Sequence, residues 1–253
     1  MSHFYKISKG SGTFMEDVHT APQAKKHKGV VPSVTTVLGV IKEPFIHNIY
    51  RPKKITELAR EYPNMNWRDI SDMVYGLRKH PQTGEMIPSS EFGTTVHKRL
   101  QDYVDFSIDP DGHDVMARSV WDDWVDPFMN WIHENNVKPY DTERVVSCNR
   151  VKIAGSVDFI GQWEDGRFFL ADYKCRSCTR DIPKFYSKDC AQLAIESLFF
   201  SQEKDLDYIP ECISICIDTE TAKHHHKMWK ATDVAKGIRI AKLCSKLYWE
   251  TIM

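Results

Sequence analysis

The chain has 253 residues, 42% hydrophobic and 27% charged, which is ordinary for a soluble globular protein and enough for one large domain or a core with an insertion. A net charge of −1 excludes a globally basic nucleic-acid coat, so any nucleic-acid contact must be local. No apolar run approaches the roughly 18 residues of a membrane span, MSHFYKISKG lacks the apolar core of a secretory signal, and seven cysteines, an odd count, fit reduced thiols in a cytoplasmic protein.

Residues 1–30 are polar with little periodicity, and a loose start or an edge strand is expected there. The run VVPSVTTVLGVI (30–41) sets Val34, Val37, Leu38 and Ile41 on one helical face, with Ser33 as N-cap. Residues 51–90 are charged and broken by Pro63, Pro81, Gly84 and Pro88. A short helix is expected from Asn66 to Lys79, and the region is either an insertion over an active site or a surface decoration. EFGTTVHKRLQDYVDF (91–106) reads as a helix. Its apolar face is Val96, Leu100, Tyr103 and Val104, and His97 lies one position round. On residues alone a histidine there is more often a satisfied core side chain than a ligand. A second helical stretch (115–136) carries Trp121, Trp124, Phe128 and Trp131 as a stripe, better suited to the core than to base stacking, and Pro127 should kink or divide it.

The most informative stretch is ERVVSCNRVKIAGSVDFIGQWEDGRFFLADYK (143–174). VKIAGSVDF and RFFLADYK are rich in β-branched, aromatic and aliphatic residues, and Glu164, Asp165 and Gly166 supply a turn between them. A hairpin would lay Asp158 beside Asp172. Alternation along the strand would point Asp172 and Lys174 one way and Tyr173 the other. Two carboxylates about 4 Å apart repel by roughly 4 kcal/mol at an effective dielectric near 20, so one is protonated or a cation fills the gap. Hard oxygen ligands with open positions suit Mg²⁺ or Mn²⁺. The same residues are also compatible with a turn acid at Asp158 and a surface pair at Asp172 and Lys174. A helix follows from about Lys188 with Ala191, Ala194, Ile195 and Leu198 inward, then a strand over 211–218. KHHHK (223–227) is expected as a solvated turn. The chain closes on an amphipathic helix (232–252) with Val234, Ile238, Ala241, Leu243 and Leu247 on its apolar face. Helix, three strands, helix, strand, helix is an α/β order with a small mixed sheet flanked by helices.

This constellation resembles the PD-(D/E)XK nuclease superfamily and, within it, the RecB-like exonucleases, a group that includes phage exonucleases and the mitochondrial genome-maintenance exonuclease. Five pieces carry the likeness in order: PSVTTVL (Pro32–Leu38), GTTVH (Gly93–His97), Glu143, GSVD (Gly155–Asp158), and DYK (Asp172–Lys174) followed by Gln192. The resemblance implies a restriction-endonuclease-like core over 91–253, with 1–90 an N-terminal elaboration or arch, all in one domain. It implies a Mg²⁺- or Mn²⁺-dependent exonuclease acting on single-stranded DNA or DNA with a free end, in phage-type replication, recombination or degradation. Asp158, Asp172, the backbone carbonyl of Tyr173 and His97 would hold the metal. Lys174 would orient the attacking water, and Glu143 would bind a second metal or order water. Gln192 would help hold the DNA or the lysine. Arg176, Arg180, Lys184 and Lys188 form a basic patch suited to the phosphate backbone. Glu196 stands where the group's motif has Tyr, so that tyrosine's DNA contact does not carry over. The iron–sulfur variant needs an early cysteine, and the first here is Cys148; no cluster is expected.

Overall fold

A computed structural model of the chain describes residues 3–8, 11–41, 51–111, 117–178, 183 and 185–251. The polar start is not loose. β1 (Phe4–Ser8), β2 (Ser11–Phe14) and β3 (Val30–Pro32) form a small antiparallel sheet in the order β2-β1-β3. Its strands work because neighbouring apolar side chains split between two faces. Phe4 and Val30 pack with Val18, Ala21 and Ala24, around the single turn α1 (Ala21–Ala24). Tyr5 and Val31 pack the other way, onto Ala154. Ser33 then caps α2 (Val34–Leu38), accepting the Thr36 N–H at 3.0 Å. Val34, Val37 and Leu38 are buried, but Ile41 lies past the helix end and is 51% exposed.

Residues 42–50, part of the expected arch, lie outside the described residues. α3 (Arg51–Glu61) packs on α4 (Trp67–Tyr75). The helix expected to reach Lys79 stops at Tyr75 because Gly76 takes φ +97°, a conformation that ends a helix. The chain then turns into a hairpin of β4 (Leu77–Lys79) and β5 (Met86–Pro88), which rests on α5 (Ser89–Ile108). Phe92, Val96, Leu100 and Val104 recur every fourth residue and are fully buried. The helical stretch over 115–136, expected to be kinked or divided at Pro127, is divided: its first two residues lie outside the described residues, Asp122–Trp124 is a 3-10 turn, and α6 (Asp126–Glu134) starts with Pro127 in its first turn, where a missing N–H costs nothing. The aromatic stripe is core: Phe128 meets Phe159 at 5.2 Å and Tyr173 at 5.0 Å between ring centroids.

Five strands make the main sheet: β6 (Lys138–Cys148), β7 (Ile153–Gln162), β8 (Phe168–Arg176), β9 (Glu211–Asp218) and β10 (His224–Met228), in the order β10-β9-β8-β7-β6. β6, β7 and β8 are antiparallel neighbours. α7 (Ser187–Glu203) then carries the chain to β9, which runs parallel to β8. α5 and α6 cover one face. α2, α7 and α8 (Ala231–Thr251) cover the other, giving a mixed α/β architecture of three layers. Two expectations fail here. KHHHK is an edge strand rather than a turn: His224 pairs with Ile217 and His226 with Ile215, and the His226 ring abuts Trp131 at 4.8 Å. On α8, Leu243 and Leu247 are 67% and 47% exposed, because Cys244, Ser245 and Tyr248 take the buried stripe one position round. No helix among the described residues is long and apolar enough to cross a membrane.

Candidate active site

The β7–β8 ladder runs from Gln162↔Phe168 to Phe159↔Ala171 and stops. Asp158 and Asp172 occupy the next rung. There the Asp158 side chain replaces the lost backbone pairing: its Oδ2 accepts the Tyr173 N–H at 2.8 Å. On the other side of β7, the rungs Thr142↔Phe159 and Arg144↔Val157 flank Glu143, which therefore stands opposite Asp158. Glu143 has φ +46°, a left-handed conformation that a glutamate adopts at a cost. Its Oε2 accepts the Ser156 hydroxyl at 2.7 Å. Around this point the faces of β7 slip. Val157 packs in the layer of α7 and Phe159 in the layer of α5, although they are two residues apart. Regular pleating would put both on one face. Three adjacent strands thus present an acid at one level, and Asp158 is left at a break in the pleat.

β8 keeps its alternation. Ala171 and Tyr173 face α5 and α6, so Asp172 and Lys174 point together to the opposite side. Lys174 Nζ lies 2.5 Å from Asp172 Oδ1. Asp172 is 2% exposed, and its Oδ2 is buried without a hydrogen-bond partner. From α5, the His97 Nδ1 comes within 3.8 Å of Asp158 Oδ2, and the ring packs edge-on to Tyr173.

Burial dominates the electrostatics. It pushes the Asp158 and Asp172 carboxyls up to about 6, with the Lys174 ammonium offsetting part of the effect. Burial, then Lys174, lowers His97 to about 4, so its imidazole is neutral at pH 7 and can act as a ligand. Burial opposes the Lys174 ammonium, but Asp172 and Asp158 outweigh it and raise its pKa. With the side chains as they stand, no three His, Cys, Asp or Glu groups among the described residues are gathered to hold an ion; Lys174 takes one oxygen of Asp172. The donor set still fits a hard divalent cation. Asp172 Oδ2 is an orphaned buried acceptor, the Tyr173 carbonyl lies on the same strand between Asp172 and Lys174, and His97 is uncharged.

Lys174 also lines a cavity of about 320 Å³ together with Thr35, Arg176, Lys188 and Gln192. Arg176 is committed within it, holding both oxygens of Asp189 at 2.8 Å and lying 4.7 Å over the Tyr186 ring. Lys188 is exposed at the rim. Arg180 and Lys184 lie outside the described residues.

Two residues of the site carry no clear mark in the sequence. Glu196 is 1% exposed, with Oε2 buried and unpartnered. Burial, then the charges of Asp172 and Asp158, raise its pKa well above the usual carboxyl range, while a hydrogen bond with Gln192 pulls the other way. It sits against Gly155, where a Cβ would lie 2.2 Å from Glu196 Oε1. Beside that glycine, the place of Glu196 four residues after Gln192 was the available signal. Tyr5 is the second: burial, then Glu196, Glu143 and Asp158, raise its hydroxyl to about 12. It reaches the acids from the N-terminal sheet, which no local pattern predicts.

No known family matches the chain, and no curated protein does. Among solved structures it is similar to one titled "Crystal structure of SSO0001", at 17% identity over 76% of this chain and 70% of that one, with a TM-score of 0.33.

Proposed function

We propose that the chain is a Mg²⁺- or Mn²⁺-dependent deoxyribonuclease of the PD-(D/E)XK, RecB-like kind, hydrolysing phosphodiester bonds from DNA ends. The observation that carries this reading is the meeting of Asp158, Asp172 and Lys174 where the β7–β8 ladder ends. The succession α5, three antiparallel strands, α7 and a strand parallel to β8 supports a restriction-endonuclease-like core.

Asp158, Asp172, the Tyr173 carbonyl and His97 would hold the ion. When bound, such an ion neutralises the phosphate and lowers the pKa of water. Lys174 supplies fixed positive charge where the phosphoryl oxygens gain negative charge. Glu143, held by Ser156, faces the same volume and can order water. Lys188 and Gln192 line the adjoining cavity, suited to the substrate strand.

The test is digestion of end-labelled linear and of circular single-stranded DNA, with Mg²⁺ and with EDTA. Loss of linear DNA alone, with Mg²⁺ alone, is the expected result. Nicking of circles would make the enzyme an endonuclease. Retarded migration without cleavage would leave only a nucleic-acid-binding module.

A further inference from the structure

A second cavity lies apart from the acids. It is a cleft of about 710 Å³ between the β6–β7 turn and α8, floored by Leu198 and Phe199 of α7. Arg150 and Lys152 stand on the turn side, and Lys242 and Lys246 on the α8 side. Among the described residues only Lys246 of these four is ion-paired, with Glu250 at 3.8 Å on the exposed helix surface. A chain of net charge −1 therefore gathers four cations around one concavity, where their mutual repulsion favours a bound anion.

The cleft is held in shape by the protein itself. The Ser245 hydroxyl donates to the Val151 carbonyl at 2.7 Å, and the Trp249 indole N–H donates to the Lys152 carbonyl at 3.1 Å. Lys152 Nζ lies 5.5 Å from the Trp249 ring centroid. These contacts clamp the turn to the last turns of α8.

The positive charge continues beyond the cleft. Lys236, Arg239, Lys242 and Lys246 follow steps of three, three and four along α8, all exposed, which keeps them on one helical face over about 15 Å. At the near end, Lys236 and Ser187 line one small cavity. The next residue after Ser187 is Lys188, at the rim of the candidate active site.

We propose that this cleft and the α8 stripe form a second binding surface, distinct from the acid cluster, that takes the phosphate backbone of DNA beyond the bond being cut. The inference rests on the nuclease reading and names where the rest of its substrate lies. A concave site with cations on both walls suits a rounded, regularly charged polymer. The Trp249 indole adds a face on which a sugar or base can rest.

The test is fluorescence-anisotropy binding of a 30-base-pair duplex in EDTA across a salt series, where no cleavage intervenes. The Lys242→Glu, Lys246→Glu double variant is compared with wild type, with Lys242→Arg, Lys246→Arg and with Lys188→Glu, after circular dichroism has shown each to be folded. Losing two phosphate contacts should lower the slope of log K against log salt by about 1.8, while the arginine pair keeps the wild-type slope. An unchanged slope in the glutamate pair, with Lys188→Glu reduced, would overturn the inference and leave the nuclease reading standing. No binding by wild type at low salt of either the duplex or a single strand of the same length would overturn both. Capture of wild type but not the glutamate pair by phosphatidylserine vesicles, with DNA binding unaltered, would overturn it in favour of a lipid surface.

Discussion

Glu196 brings a further buried carboxyl group under the influence of Asp172 and Asp158. Its raised pKa, caused first by burial, means the folded chain keeps a proton that the unfolded chain has lost above about pH 4.3. Folded-state proton excess makes stability fall as pH rises, by up to about 1.4 kcal/mol per pH unit, until the folded pKa is passed. Glu196→Gln keeps the shape of the protonated acid and has nothing to titrate. Melting curves in EDTA from pH 5 upward should therefore fall less steeply for Glu196→Gln than for wild type. Asp158 and Asp172 titrate in both proteins near 6, so the difference between the curves isolates Glu196. Parallel curves would mean that Glu196 is already ionised. Lys174 makes the complementary case for catalysis. Among the described residues its ammonium is the only cation drawn onto Asp172, and Lys174→Ala should cut DNA cleavage by roughly 10³-fold while circular dichroism stays unchanged. Cleavage at the wild-type rate would remove Lys174 from the mechanism.

At the scale of elements, His97 reaches the acids only because α5 is fixed at the correct height on the sheet. Its exposed side is anchored by one carboxylate. Asp122, 1% exposed, accepts from Arg99 Nε at 2.7 Å and Nη2 at 3.2 Å, from the Tyr103 hydroxyl at 3.1 Å and from the Ser119 N–H at 2.8 Å. Burial works against its ionised form, but these donors outweigh burial and lower its pKa. Asp122→Ala would leave the half-buried Arg99 guanidinium without its carboxylate, a loss worth about 1.5–3 kcal/mol for charge-assisted hydrogen bonds. Urea denaturation should show a midpoint lowered accordingly, and a change under 1 kcal/mol would mean that the clamp is incidental. None of this was legible in the sequence, because Arg99 and Asp122 are 23 positions apart and lie on separate elements. The elements themselves were legible where periodicity and turn chemistry agreed. α5 showed its fourfold apolar spacing, and the β7–β8 hairpin showed β-branched runs around Glu164, Asp165 and Gly166. β10 was misread because three consecutive histidines suggest solvent, whereas here a tryptophan from α6 covers one of them. At the N-terminus the choice between a loose start and an edge strand stayed open, and the strand holds; the apolar residues divide between two small faces, leaving no simple alternation to decide it.

At the scale of the molecule, the site lies where an antiparallel hairpin stops pairing while β8 continues alongside parallel β9 as far as Arg176↔Asp218. β8 therefore stays rigid past Asp172, and β7 is free to turn Asp158 aside. The meeting of Asp158 with Asp172 could be anticipated from a hairpin register. The slip in the pleat at Asp158 could not, since it lies opposite the irregular backbone of Glu143 on a neighbouring strand. This arrangement makes a prediction about the whole fold. The acids carry raised pKa values and Asp172 Oδ2 lacks a partner, so the metal-free protein bears an unrelieved cost at its centre. An ion that binds only the folded chain stabilises it by about 2.7 kcal/mol at a hundredfold excess over its Kd. For a chain of this size that corresponds to a rise in Tm of roughly 5–10 °C. Mg²⁺ or Mn²⁺ should produce the rise and EDTA should reverse it. Asp172→Asn should abolish it, because a neutral amide is a poor ligand for a hard cation. Lys174→Ala should enlarge it, because the ammonium no longer competes for Asp172 Oδ1. A wild-type Tm that neither ion moves, in a folded and monodisperse preparation, would take the metal out of the mechanism, and with it the reason for setting Asp158 and Asp172 together.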